Sequence, residues 1–260
     1  MKKHPQFGSK LPSIILLGLL ISAGLFQPAQ AKTTHKNTLQ IIPQKQAPFL
    51  CGTTVAEMIL RHAGIKRIGK AKGYLINQKS RGSAVAQHLC DLMAEGKIKS
   101  GQPQCVDAQG NPLRVYHRGK PTKATRQAYK KGTYLLGLKQ LFALENMPAT
   151  YQRSVYQKKK KQFAPHQTQK RFEGLLKEVK QSKAVIIHVT PHLKPGGGHY
   201  LLIYGYNDHR KWFYYIDPNP RKGHSPRSKV SYIKLKNGTP WFRGSWFWTG
   251  RYLAVTPPKL

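Results

Sequence analysis

Val55, Met58, Ile59 and His62 recur at helical spacing and Ala63-Gly64 follows as a stop, so the pattern predicts a helix beginning about Cys51. The same period predicts helices over 84–95, where Val85, Leu89 and Leu92 share a face, and over 134–144, carried by Leu135, Leu138, Leu141 and Phe142. A fourth covers 168–181, with Phe172, Leu175, Leu176 and Val179 in register. Beyond it the period changes. Apolar runs at 184–189, 199–206 and 212–216 read as strands, and Asn207-Asp208 with the charged residues after it reads as the turn joining the last two. Residues 229–235 alternate as a strand would, and 252–255 form a short closing strand. Ahead of the first helix, 32–48 is polar and proline-containing, with one extended stretch around Leu39-Gln40-Ile41-Ile42. Helices first and an antiparallel sheet last predict an α+β fold, a helical N-terminal part packed on a C-terminal sheet.

The first 31 residues break this pattern. Lys2, Lys3 and Lys10 precede an apolar run from Ile14 to Phe26, and Ala29-Gln30-Ala31 supplies a small-x-small cleavage pattern. That run is short of the roughly 20 apolar residues a membrane anchor needs. The expectation is a signal peptide over 1–31, a mature chain beginning near Lys32 with no transmembrane anchor, and a periplasmic or secreted bacterial protein. Residues 32–260 then make a single domain.

Charge changes the picture next. The chain carries 45 Lys and Arg against 9 Asp and Glu, a formal net charge of +36, yet its 39% hydrophobic and 10% aromatic content separates it from disordered polycations. The basic residues are dense over 96–170, which reads as a basic, loop-rich insertion that includes the run Lys158 to Lys161. Self-repulsion on this scale favours a polyanionic neighbour such as lipopolysaccharide or another anionic envelope polymer. No zinc knuckle, ribonucleoprotein motif or helix-turn-helix pattern points to specific nucleic-acid binding. With so few carboxylates a calcium site is excluded, and no His-Glu-x-x-His or other ligand spacing implies a metal or any other cofactor.

Three cysteines remain to be placed. Cys90 and Cys105 are close enough in sequence to pair, which leaves Cys51 as the odd thiol; Cys51 pairing instead is the alternative. At a helix start, unpaired backbone N–H groups and the helix dipole stabilise a thiolate, and Gly52 leaves room beside the sulfur. Acyl transfer from such a thiolate needs a proton donor for the leaving amine. His199 is the best placed, opening an apolar strand directly after Gly196-Gly197-Gly198, whereas His188 and His192 read as ordinary strand or loop histidines. Asp217 ends the next strand in Tyr215-Ile216-Asp217-Pro218. From there it can hold one imidazole nitrogen while the other faces the sulfur, its alternative role being a turn former before proline.

The run Gln46-Ala47-Pro48-Phe49-Leu50-Cys51-Gly52-Thr53-Thr54-Val55-Ala56-Glu57-Met58 resembles the nucleophile helix of papain-like cysteine peptidases, in the bacteriocin-processing-peptidase-like branch. Gly198-His199-Tyr200-Leu201-Leu202-Ile203 is similar to that branch's histidine strand, Ile216-Asp217-Pro218 to its third-residue motif, and 246–255 to its closing strand. The resemblance runs over about 41–255, with no clear counterpart for the basic middle. It implies a papain-like fold, a Cys51–His199–Asp217 triad, and an oxyanion hole made by the Cys51 N–H and a glutamine side chain. Gln46 is the choice and Gln44 the fallback, because Lys45 stands where the family usually has this glutamine. The reading is therefore an exported cysteine peptidase acting on a peptide or protein substrate. A non-catalytic basic module for envelope or extracellular polyanions and a peptidoglycan amidase are the alternatives.

Overall fold

The computed structural model describes residues 36–47, 50–98, 116–117, 120–121, 135–157, 159–193 and 197–258. The expected signal segment, Cys105 and most of the loop-rich part of the basic middle lie outside the described residues. Seven strands form one antiparallel sheet: β1 (Lys36–Thr38), β2 (Ala149–Gln152), β3 (Ala184–Thr190), β4 (His199–Asn207), β5 (Trp212–Ile216), β6 (Arg227–Ser231) and β7 (Phe247–Val255). Their spatial order is β6-β5-β4-β3-β7-β2, with β1 beside the far end of β4. Five helices accompany it: α1 (Cys51–His62), α2 (Ser83–Ala94), α3 (Leu135–Leu144), α4 (Gln169–Lys180) and the short α5 (Tyr232–Lys236). The fold is α+β, as the sequence predicts.

Every residue of β3 is buried, which explains its unbroken apolar run: the sheet is covered on both faces. Alternate side chains go to opposite layers. Ile186, Leu202, Ile216 and Leu253 pack with Val55, Met58 and Ile59 of α1, Leu89 of α2 and Leu138 of α3. Val185, Ile187, Leu201, Phe213 and Ala254 pack with Phe172, Leu175 and Val179 of α4. Helix α1 is buried without a break from Gly52 to Leu60, so the helix predicted to begin with the cysteine is the centre of its layer. No helix among the described residues is long and apolar enough to cross a membrane.

Three readings need correction. Residues 229–235 are not one strand. β6 runs out of partner at the Trp212–Ser231 pair, the Tyr232 N–H turns to the Lys211 carbonyl (2.8 Å), and α5 begins there. β7 starts at Phe247 rather than 252. Its register against β3 jumps between Trp248 and Tyr252, and the bulge, with Gly250 at φ 75°, breaks the alternation that sequence reading relies on. Nor is 96–170 an insertion throughout. Leu135, Leu138, Leu141 and Phe142 enter the core, and β2 pairs with β7 as an edge strand, because a basic composition hides an amphipathic helix.

Candidate active site

Three separately held pieces of chain meet at the Cys51 sulfur. Cys51 is the first residue of α1, free and only partly exposed, and its helix has no acidic residue in the first turn to oppose a thiolate. Cys90 is disulfide-bonded, so it does not compete for this sulfur. The thiol hydrogen-bonds the His199 ring and takes the backbone N–H groups of Tyr200 and Gly52. Burial on its own would push the thiol up, but the imidazole's hydrogen bond and charge, with the two N–H groups, hold it below the ordinary thiol value.

His199 is the first residue of β4 and is buried. Its Nε2 lies 2.6 Å from Asp217 Oδ1, which leaves the other ring nitrogen for the sulfur. Its ring stacks on Phe242 at 5.8 Å between centroids and 17° between planes. Burial opposes its charge, yet the hydrogen bonds to Asp217 and Cys51 and their negative charges raise it to about 9. Asp217 follows directly on β5. Burial would raise its carboxyl too, but His199, the Asn219 N–H (2.8 Å to Oδ1) and the charge of Arg243 (3.4 Å from Oδ2) hold it below the usual carboxylate range. Arg243 is fixed in turn by the Asn219 carbonyl (2.7 Å) and by lying over the Phe242 and Trp246 rings.

The glycines before His199 have a steric cause. Gly198 has φ 142°, and a Cβ there would stand 2.2 Å from His188 Nε2 and 2.9 Å from the Val189 carbonyl. His188 is buried beneath this turn, bonded to the Gly197 backbone and, through Nδ1, to the Thr249 hydroxyl (3.1 Å). Burial, with the charges of Arg251 and His199, takes its pKa down to about 3. An imidazole proton-NMR titration should therefore find neighbouring rings moving oppositely, His199 charged into mild alkali and His188 neutral down to strong acid. Both rings titrating near 6.5 would contradict this geometry.

The two candidate glutamines separate cleanly. The Gln44 amide is committed: Nε2 donates to Glu57 Oε2 (2.7 Å) and Oε1 accepts from Arg61 (3.2 Å). Gln46 has its backbone fixed, its N–H donating to the Pro218 carbonyl (2.8 Å) and its own carbonyl accepting from Arg81 (2.9 Å). Its side-chain oxygen is buried without a hydrogen-bond partner among the described residues. Of the two amides, only that of Gln46 is free to meet a substrate.

Sequence reading missed what holds these pieces. Glu57 is fully buried in α1, where it accepts from Gln44, from the Ser80 hydroxyl (2.6 Å) and from the backbone N–H groups of Gly82 (2.8 Å) and Val85 (3.2 Å). An acid facing inward from an apolar helix, in a chain with nine acids in all, is a signal that was there to be read. Arg243 and Phe242 left no such trace. Among the described residues no group of three or more His, Cys, Asp or Glu is placed to hold a metal ion.

Helix-borne thiol, strand-borne imidazole and a carboxylate behind it form the arrangement expected of a thiol-dependent acyl-transfer site. No curated protein sequence matches the chain. The profile of the Peptidase_C39 like family does match, over residues 38–243, a stretch that holds Gln46, Cys51, His199, Asp217 and Arg243. The chain therefore belongs to the Peptidase_C39 like family of cysteine peptidases.

Proposed function

We propose that the protein is an exported cysteine peptidase that hydrolyses a peptide or isopeptide bond, with Cys51 as nucleophile, His199 as acid and base, and Asp217 as the group that orients the imidazole. The observation that carries this reading is the His199 ring, bonded to the Cys51 sulfur on one side and to Asp217, at 2.6 Å, on the other. A lowered thiol beside a raised imidazole makes a thiolate–imidazolium pair the resting form. The thiolate attacks the scissile carbonyl, and the negative charge that develops on oxygen is met by the Cys51 N–H and the Gln46 amide. One such donor is worth roughly 3–4 kcal/mol in the transition state. His199 gives its proton to the leaving nitrogen, then takes one from the water that releases the acyl group.

The ion pair sets the pH dependence. Ionisation of Cys51 is nearly complete below the ordinary thiol value, so activity rises on an acid limb placed there; it falls as the imidazolium deprotonates near 9. Hydrolysis of a generic fluorogenic peptide, and alkylation of Cys51 by iodoacetamide, should be measured from pH 4 to 10. A single alkaline rise, as an isolated thiol gives, would remove the proposal.

The charge of +36 favours an additional role for an anionic envelope polymer in recruiting the enzyme. A purely polyanion-binding module predicts salt-sensitive retention on an anionic matrix with no hydrolysis. A peptidoglycan amidase predicts soluble products from purified cell wall. Export predicts that the protein recovered from outside the cytoplasm begins near Lys32.

A further inference from the structure

We infer that the hollow behind Asp217 is a subsite for a carboxylate on the leaving-group half of the substrate. This inference rests on the peptidase reading above and adds a substrate class to it. The hollow has a volume of about 180 Å³, and Arg221, His224, Ser225, Ser228 and Arg243 contribute to its wall. At about 30 Å³ per water this is room for a short acidic side chain or a chain terminus. Asp217 is the one carboxylate of the lining, and it is already spent: Oδ1 serves His199 and the Asn219 N–H, and Oδ2 faces Arg243. What remains toward the hollow is donors and positive charge.

Those donors are built in rather than loosely displayed. Arg221 is anchored by a bond from its guanidinium to the Arg243 carbonyl (3.2 Å). The Arg243 guanidinium is clamped over two aromatic rings, and its Nε is buried with no partner among the described residues. Fixed guanidinium groups match a carboxylate in shape as well as charge, and lose little freedom on binding it.

Reaction chemistry decides which half of the substrate reaches this place. The acyl carbon bonds to the Cys51 sulfur, while the nitrogen that departs has to take its proton from His199. The departing half therefore lies over the imidazole, and Phe242, on which that ring stacks, and Asp217, which holds it, are both part of the wall of the hollow. A carboxylate a residue or so beyond the scissile bond falls into it. The acyl half runs the other way and gains nothing from it.

The test is a cleavage-site survey. The full chain is incubated with peptides from a defined proteome digest, half of them amidated at the C-terminus, and the new ends are read by mass spectrometry. Asp or Glu should be enriched just after the cleaved bond. Enrichment surviving amidation assigns the carboxylate to a side chain, and enrichment only near free ends assigns it to the chain terminus. In Arg221→Ala/His224→Ala the preference should vanish, with kcat/KM falling roughly 10- to 100-fold for acidic peptides and little for their amide counterparts. Lys170→Ala/Lys177→Ala removes two exposed lysines from α4 and should leave the preference intact. Should the first double variant not fold, Arg221→Gln carries the same comparison. Cleavage without acidic enrichment, or an enrichment that the α4 variant also loses, overturns the subsite and leaves the peptidase standing. No cleavage of any peptide by the unaltered chain overturns both.

Discussion

Peptide hydrolysis should fall on the order of 10⁶-fold in Cys51→Ala, the loss seen when a catalytic nucleophile is deleted from a working unit. Nothing substitutes for the sulfur, because Cys90 is held in a disulfide and Thr53, the nearest hydroxyl along α1, donates to the Leu50 carbonyl (3.1 Å). The same substitution should leave the denaturation midpoint nearly unchanged, since one partly exposed sulfur is removed and its N–H partners can take water. Covalent labelling by a thiol-directed peptidase inhibitor should vanish with it. Activity that persists in Cys51→Ala would mean that the chemistry is elsewhere.

Glu57→Ala should do the reverse, damaging the fold first. Its carboxylate joins α1 to the Ser80–Val85 turn and, through Gln44, to the strand of chain that carries Gln46. Alanine strands two buried backbone N–H groups and an amide, each costing about 1–3 kcal/mol. The sum is a large part of the 5–15 kcal/mol by which domains are stable. Urea unfolding should show a lower midpoint with an unchanged slope. Glu57→Gln keeps an acceptor where Gln44 and Gly82 converge and should lose much less. Burial outweighs the four donors and raises the Glu57 carboxyl above its ordinary value, so the folded form binds that proton more tightly than the unfolded one. Its contribution is therefore most favourable below the unfolded value and declines as pH rises through the folded one. Glu57→Gln should flatten that part of the pH–stability curve. Equal stability of Glu57→Ala and the parent would show that the loop is held by other contacts.

Much of this site was legible because its parts are locally coded. Cys51 precedes a clean helical period, His199 follows three glycines into an apolar strand, and Asp217 closes the next strand. Each signal sits within a few residues of the side chain concerned. Choosing Gln46 over Gln44 was not local, since the answer lies in Glu57 and Arg61, partners 13 and 17 residues away from Gln44 that claim its amide. Arg243 reaches Asp217 across 26 residues and two turns, with no period to announce it. In the fold, errors came where the backbone leaves its repeat: the bulge at 249–251 and the strand-to-helix switch at Ser231. Fold class survived those errors because both helical layers and the central strands were read from period alone.

The thiol and its amide neighbour belong to the helical layer, whereas the imidazole and carboxylate belong to the sheet. Reactivity is thus a property of the seam between two slabs, and a slip of one past the other by a single ångström silences the enzyme while both slabs stay intact. Such a seam can be loosened or tightened from outside. A protein decorated so heavily with positive charge has its wetting, salt and counter-ion cloud as handles on that alignment, and an acyl group bonded to the sulfur acts as a rivet through it.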